Sequence, residues 1–384
     1  MIILYKNGKI ILEDKIIENG AVLTVDGYIK EVFDNSDLNV NNISADKIID
    51  ANEMYISPGF IDTHIHGGAG FDVMDATHEA LIKIAEVHRK HGCTAFMPTT
   101  LTSSEEKIKT AVYNAYELMQ IKYDGARILG VHLEGPCFSE KFKGAQNPKY
   151  LRNPSVDFFN EIDCGLNIVK RISMSPELDG AFETAEYFSS RGINISIAHS
   201  DADFNCVEES VKRGFSHITH MYNGMSYINS PDYYCKTGVA EAGLLLDGLT
   251  AEIIADGKHM PKEILRLLYK CKGADKMLLT TDATRPTNMP DGNYELGGLD
   301  VLVTDGVAML ADRSSFAGSV ATCDRLVRFA YKNCGIKLYE AVKMAGLNHA
   351  KLIGADKETG SIKPGKLAEI IIFDDEINII NTEE

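Results

Sequence analysis

Residues 58–68 read PGFIDTHIHGG, a short apolar run that ends in two histidines one residue apart, His64 and His66. A β-strand sends alternate side chains to the same side, so these two imidazoles face one way while Ile61, Thr63 and Ile65 face the other. Two imidazoles on one side can share a cation. An isolated HxH is as readily incidental, since a lone histidine is usually a packed or solvated residue. A catalytic metal site also needs a further ligand and a group that moves protons, so the rest of the chain decides the reading.

Seven more runs of the same kind follow, giving eight in all: FIDTHIH (60–66), TAFMPTT (94–100), ILGVHLEG (128–135), IVKRISMS (168–175), INISIAHS (193–200), HITHMYN (217–223), TAEIIADG (250–257) and KMLLTTDA (276–283). Amphipathic helices are expected between them. Thr77 to His91 carries Leu81, Ile84, Ala85 and His88 at helical spacing, with Gly92 as a C-cap. Ser104 to Gln120 opens on Glu105 and Glu106 and carries Ile108, Ala111, Val112, Ala115 and Leu118. Alternating strands and helices predict an α/β protein with a parallel sheet. Eight of them favour a (β/α)8 TIM-type barrel, with a doubly wound open sheet as the alternative.

In such a barrel the chemistry gathers at the C-terminal strand ends. Those ends offer His64 and His66, then Glu134, His199, His220, Asp256 with His259, and Asp282. Four imidazoles and a carboxylate exceed what one small catalytic ion needs, so two adjacent metal sites are expected. His64 with His66 would serve one, His199 with His220 the other, and Glu134 would bridge them. This ligand set suits zinc or iron better than calcium or magnesium. Asp282 fits a general base that takes a proton from the attacking water and returns it to the leaving group, or else a further ligand. The reaction class is metal-assisted hydrolysis of an amide or related C–N bond. His132 and His217 are read as packing or supporting residues.

The 384 residues, 45% hydrophobic and 24% charged, have a globular composition and can build a sizeable core. The net charge of −16 opposes a polyanion, so no nucleic-acid partner is expected, while a small anionic substrate stays compatible with a locally cationic pocket. Eight scattered cysteines without a CxxC pair are read as reduced thiols. Lys6, Lys9 and Glu13 interrupt the apolar N-terminus, no run approaches a membrane span, and a cytoplasmic protein is expected. Residues 1–57 show short β-rich runs with a hairpin turn at Asp26-Gly27. The C-terminal stretch SIKPGKLAEIIIFDDEINII repeats the style, turning at Pro364-Gly365, with a strand at Ala368 to Phe373. The two ends are expected to share one small sheet domain.

PGFIDTHIHGG, HLEGP (132–136), AHS (198–200), THMYNGM (219–225), ADGKH (255–259), TTDAT (280–284), PDGNYELGG (290–298), FAGS (316–319) and GSIKPGKLAEIIIFD (360–374) occur in an order that resembles the amidohydrolase superfamily, and within it the N-acetylglucosamine-6-phosphate deacetylases. HLEGP is the most diagnostic of these motifs. The resemblance implies a (β/α)8 barrel over 58–356 and a small β-sandwich domain built from residues 1–57 and 357–384. It implies a small-molecule amino-sugar substrate, one or two divalent metals held by Glu134, His199, His220, His64 and His66, Asp282 as the acid/base group, and a homodimer. It further implies that Ala145, Asn223, Gly224, His259, Phe316, Ala317 and Gly318 line the sugar pocket. Where the family carries a phosphate-gripping arginine this chain has Cys235, followed by Lys236, which would replace it as a point charge. That departure keeps open a related amidohydrolase acting on a different N-acyl or cyclic amide. A catalytically silent scaffold would be expected to have lost ligands, and here all of them remain.

Overall fold

The structure is a computed structural model and describes residues 1–34, 43–230 and 233–381. All eight expected core strands are present. The first, Phe60–Ile65, is buried along its whole length, as a strand covered on both faces must be. It pairs in parallel with the second, Cys93–Pro98. Val131–Glu134, Val169–Met174, Asn194–Ile197, Phe215–Ile218, Thr250–Ile253 and Met277–Leu279 form a second all-parallel sheet in chain order. Single-residue parallel bridges join Thr99 to His132 and Ile65 to Ala283. The order therefore runs without the reversal that defines a doubly wound sheet. This is an α/β fold on a curled parallel sheet.

The strands stop earlier than their sequence runs suggest. The fifth ends at Ile197, the sixth at Ile218 and the eighth at Leu279, while His199, His220 and Asp282 lie beyond them at φ of 47°, 27° and 47°. Positive φ is incompatible with an extended ladder and uncommon outside glycine. At these positions pairing ends and the side chain is re-aimed.

Helices cover the sheet as expected. His78–Lys90 starts at Thr77, whose hydroxyl accepts from Ala80 N at 3.2 Å, and Gly92 takes φ +81° just past its end. Leu81, Ile84, Ala85 and His88 are fully buried. Glu105–Met119 starts at Ser104 and buries Ile108, Ala111, Val112, Ala115 and Leu118. Each large aliphatic side chain so placed contributes about 1.5–3 kcal/mol relative to exposure.

Both chain ends enter one seven-stranded sheet. Ile2–Ile11, Ile16–Val25, Tyr28–Phe33, Lys47–Asp50 and Tyr55–Pro58 are joined by Ile370–Phe373 and Ile379–Asn381, with Ile370 opposite Pro58 and Phe373 opposite Tyr55. Asp26 and Gly27 take φ of 50° and 81°, the hairpin geometry foreseen for them. Ile3, Ile10, Val22, Ile56, Ile362 and Ile372 share the apolar cluster beneath this sheet. The C-terminal strand opens two residues later than Ala368.

One element was not foreseen. Gly292–Leu296, Leu299–Thr304 and Val307–Leu310 form a three-stranded antiparallel sheet that turns at Gly297-Gly298 and Asp305-Gly306. Leu296, Val301, Val303 and Ala308 pack with Leu101 and Ala317, so this sheet leans on the polar-residue rim of the core.

Candidate metal centre and active site

Glu134 closes the third strand and sits at the centre of four imidazoles. Its Oε1 lies 3.1 Å from His220 Nε2 and 3.5 Å from both His199 Nε2 and His64 Nε2, and its Oε2 lies 3.3 Å from His66 Nε2. Asp282 Oδ1 is 3.3 Å from His66 Nε2 and 3.4 Å from His64 Nε2. All six side chains are buried. The donor atoms divide into two groups that could each hold a metal ion, His64 with His66 and Glu134, and Glu134 with His199 and His220.

The hydrogen bonds on the far side of each ring decide what the near side presents. His64 Nδ1 donates to Glu252 Oε1 at 2.6 Å, His66 Nδ1 to the Thr99 carbonyl at 3.2 Å, and His199 Nδ1 to the Phe142 carbonyl at 2.8 Å. A carbonyl only accepts, as does the ionised Glu252 carboxylate, so each neutral ring carries its proton on Nδ1 and turns the Nε2 lone pair inward. His64 Nε2 and His66 Nε2 then face each other at 3.1 Å, which repels unless a cation lies between them. The donor set fits a divalent metal.

Charge tells the same story. Burial pushes the pKa of Glu134 upward, yet His64, His199 and His220 outweigh it and hold the carboxyl well below the usual range. Burial disfavours the His64 cation, but Glu252, Glu134 and Asp282 raise its pKa well above normal. His66 is opposed by burial and raised to about 9 by hydrogen bonds to Asp282 and Glu134. The pocket therefore attracts positive charge.

A cavity of about 440 Å³ opens on this cluster, within the range of small-molecule sites. His66, Glu134, His199, His220 and Asp282 line it, as do Ala145, Asn223, Gly224, His259, Phe316 and Gly318. His64 lies buried beneath the lining, and Ala317 is packed in the cluster under the three-stranded sheet. Gly224 is required where it stands: at φ +57° a Cβ would fall 2.7 Å from His199 Nδ1, on the very bond that orients that ring. His259 Nδ1 pairs with Asp256 Oδ2 at 3.0 Å, its ring packs 4.3 Å from that of Phe316, and its buried Nε2 has no partner among the described residues. Lys236 lies outside the lining and exchanges backbone hydrogen bonds with Asn229 at 2.8 and 3.0 Å.

The amidohydrolase family profile matches residues 55–383. The chain belongs to the amidohydrolase family. It is 36% identical over 328 residues to the N-acetylglucosamine-6-phosphate deacetylase of Vibrio furnissii, covering 85% of this chain and 81% of that protein. It is 33% identical over 385 residues to the Bacillus subtilis (strain 168) enzyme of the same name, covering 99% and 95%. The crystal structure of the Pasteurella multocida N-acetylglucosamine-6-phosphate deacetylase superposes with a TM-score of 0.92 at 28% identity, covering 100% of this chain and 98% of that one.

This amidohydrolase also uses residues that sequence reasoning passed over. Glu252, in the seventh strand, accepts from His64 Nδ1 and, at 3.1 Å, from the His220 amide, while its other oxygen pairs with Arg171 Nη1 at 2.6 Å. Arg171 is fully buried and is further held by Ser196 Oγ and Thr219 Oγ1. A carboxylate and a guanidinium inside apolar strand runs were the available signal, since charges there must be paired. Gln146 donates to Glu134 Oε2 at 2.8 Å and fixes the carboxylate between the two histidine pairs, a contact that no spacing in the sequence encodes.

Proposed function

We propose that the protein hydrolyses the N-acetyl group of N-acetylglucosamine 6-phosphate, releasing acetate and the free amine. The observation that carries this reading is Glu134 shared by four inward-facing imidazoles, with Asp282 beside two of them, on a sugar-sized cavity. The deacetylases of Vibrio and Bacillus, similar over most of their length, supply the substrate. They favour it over a different N-acyl or cyclic amide.

We assign one or two divalent ions, zinc or iron, to Glu134, His199, His220, His64 and His66. When bound, such an ion would lower the pKa of water and polarise the acetyl carbonyl. Asp282 takes the proton of the attacking water and passes it to the departing amine nitrogen, and its place against the inner histidines supports that role. His259, with its unpartnered Nε2, hydrogen-bonds a sugar oxygen, and Ala145, Asn223, Gly224 and Phe316 shape the pocket around the ring.

The same reading closes the eight strands into a (β/α)8 barrel over 58–356, with 1–57 and 357–384 as the small β-sandwich domain. The two single-residue bridges and the shared terminal sheet support it. A homodimer is supported by the exposed apolar side chains Tyr227, Ile228, Tyr233 and Tyr234 on one segment. Among the described residues no helix is long and apolar enough to cross a membrane, and all eight cysteines are free thiols, which suits cytoplasmic chemistry.

The experiment is acetate release by the metal-loaded protein supplied with N-acetylglucosamine 6-phosphate. Turnover is expected in the wild type, with kcat reduced about 10²- to 10⁴-fold in Asp282→Asn at unchanged metal content. An active Asp282→Asn variant would remove the proton role.

A further inference from the structure

We propose that Arg313 receives the phosphate of the substrate; this assignment rests on the function proposed above and names the residue that sets its specificity. A 6-phosphate brings about two negative charges into a cavity that already holds Glu134 and Asp282, so some permanent cation must offset them. Among the described residues that line the cavity, Arg313 is the single lysine or arginine.

Its surroundings leave it available. Arg313 is exposed, and its guanidinium has no hydrogen bond or ion pair among the described residues. The adjacent carboxylate, Asp312, is committed elsewhere: its Oδ1 accepts from Ser314 N at 2.9 Å and from Ser314 Oγ at 2.6 Å. The loop is built to present the side chain. Arg313 N donates to the Leu310 carbonyl at 2.7 Å and Leu310 N to the Ser315 carbonyl at 3.0 Å, and φ of +60° at Arg313 makes the tight reversal. Its planar fork matches a phosphate, and Ser314 and Ser315 line the cavity beside it with their hydroxyl protons given to Asp312 Oδ1 and to the Phe316 carbonyl. The loop belongs to the three-stranded antiparallel sheet, and this gives that insertion a purpose beyond covering the rim.

The test compares steady-state kinetics of wild type, Arg313→Ala, Arg313→Lys and Lys236→Ala on N-acetylglucosamine 6-phosphate and on free N-acetylglucosamine. Arg313→Ala is expected to raise KM for the phosphorylated sugar about 10- to 100-fold with a much smaller change in kcat. The ratio of kcat/KM for phosphorylated over free sugar should fall by the same factor, and Arg313→Lys should recover part of it. A KM for Arg313→Ala within about twofold of wild type overturns the assignment. So does an equal loss on both sugars, which marks a merely structural role, or a loss that falls on Lys236→Ala instead. Loaded wild type that does not turn over the 6-phosphate overturns the proposed function and this assignment with it; an active wild type beside an unaffected Arg313→Ala overturns the assignment alone.

Discussion

Glu252 shows how much of the metal centre rests on a residue that touches no substrate. Its two oxygens answer to opposite demands, one accepting from His64 Nδ1 and the His220 amide, the other pairing with Arg171. Both partners of that pair are fully buried, so removing one strands the other in a medium where an uncompensated charge costs about 3–5 kcal/mol. Glu252→Gln is therefore expected to weaken metal binding about 10- to 100-fold, through loss of the bond that orients His64, and to lower stability in urea. The double variant Arg171→Met with Glu252→Gln should recover part of the stability and none of the metal affinity. Metal titration and equilibrium unfolding read the two effects separately. Glu252 was legible in the sequence only as an acid in an otherwise apolar strand. Its partners come from positions 64, 171 and 220, and no local pattern relates them.

At the scale of elements, the strand ends and helix starts place the chemistry. His199, His220 and Asp282 sit in left-handed backbone just beyond their strands. The alternation that located them by strand was right about which strand and wrong about where pairing stops. Positive φ in a non-glycine residue has no sequence signature, and such strain persists only where its surroundings enforce it. The three-stranded sheet was missed for a different reason. Its Gly297-Gly298 and Asp305-Gly306 turns stand in the sequence, but strand–helix alternation, the pattern that marks the parallel sheet, carries no signal for hairpins.

A second element carries a pH prediction. The helix Cys323–Arg328 carries Asp324 in its first turn, where it meets His91 Nδ1 at 3.2 Å, Thr322 Oγ1 at 2.5 Å and Arg328 Nη2 at 3.4 Å. Burial raises the pKa of this carboxyl, yet the bonds from His91 and Thr322 outweigh it and hold it below the ordinary value. A folded-state pKa lower than the unfolded one contributes stability above the unfolded value, near 4, and loses it as pH falls through the folded value. Asp324→Asn should thus be less stable than wild type by about 1 kcal/mol at neutral pH. The gap should close below about pH 4. Thermal unfolding of both proteins between pH 3 and 7 checks the convergence.

For the whole molecule, the proposed metal ligands lie in or just beyond strands one, three, five and six and so would tie distant parts of the chain together. A ligand that binds only the folded state stabilises it by mass action, about 2.7 kcal/mol at a free concentration one hundred times Kd. Chelation is expected to lower Tm, and zinc or iron to restore it, whereas magnesium, an oxygen-preferring ion, should restore little. A Tm indifferent to chelator would mean that the histidines and Glu134 hold no ion of consequence.

By itself the sequence determined the class of the fold and which side chains are proposed as the reacting groups. Strand and helix periods are local properties, and histidines and acids at strand ends can be counted along a line. Only the tertiary structure decided how those groups serve each other: which nitrogen of each ring faces inward, that Glu252 and Gln146 hold the ligands in place, and that a loop from an unforeseen sheet brings a free guanidinium to the pocket. Those relations join residues far apart in the chain, 188 positions for His64 and Glu252, and their energies depend on distance in space and exclusion of water, neither of which is written in the order of the residues.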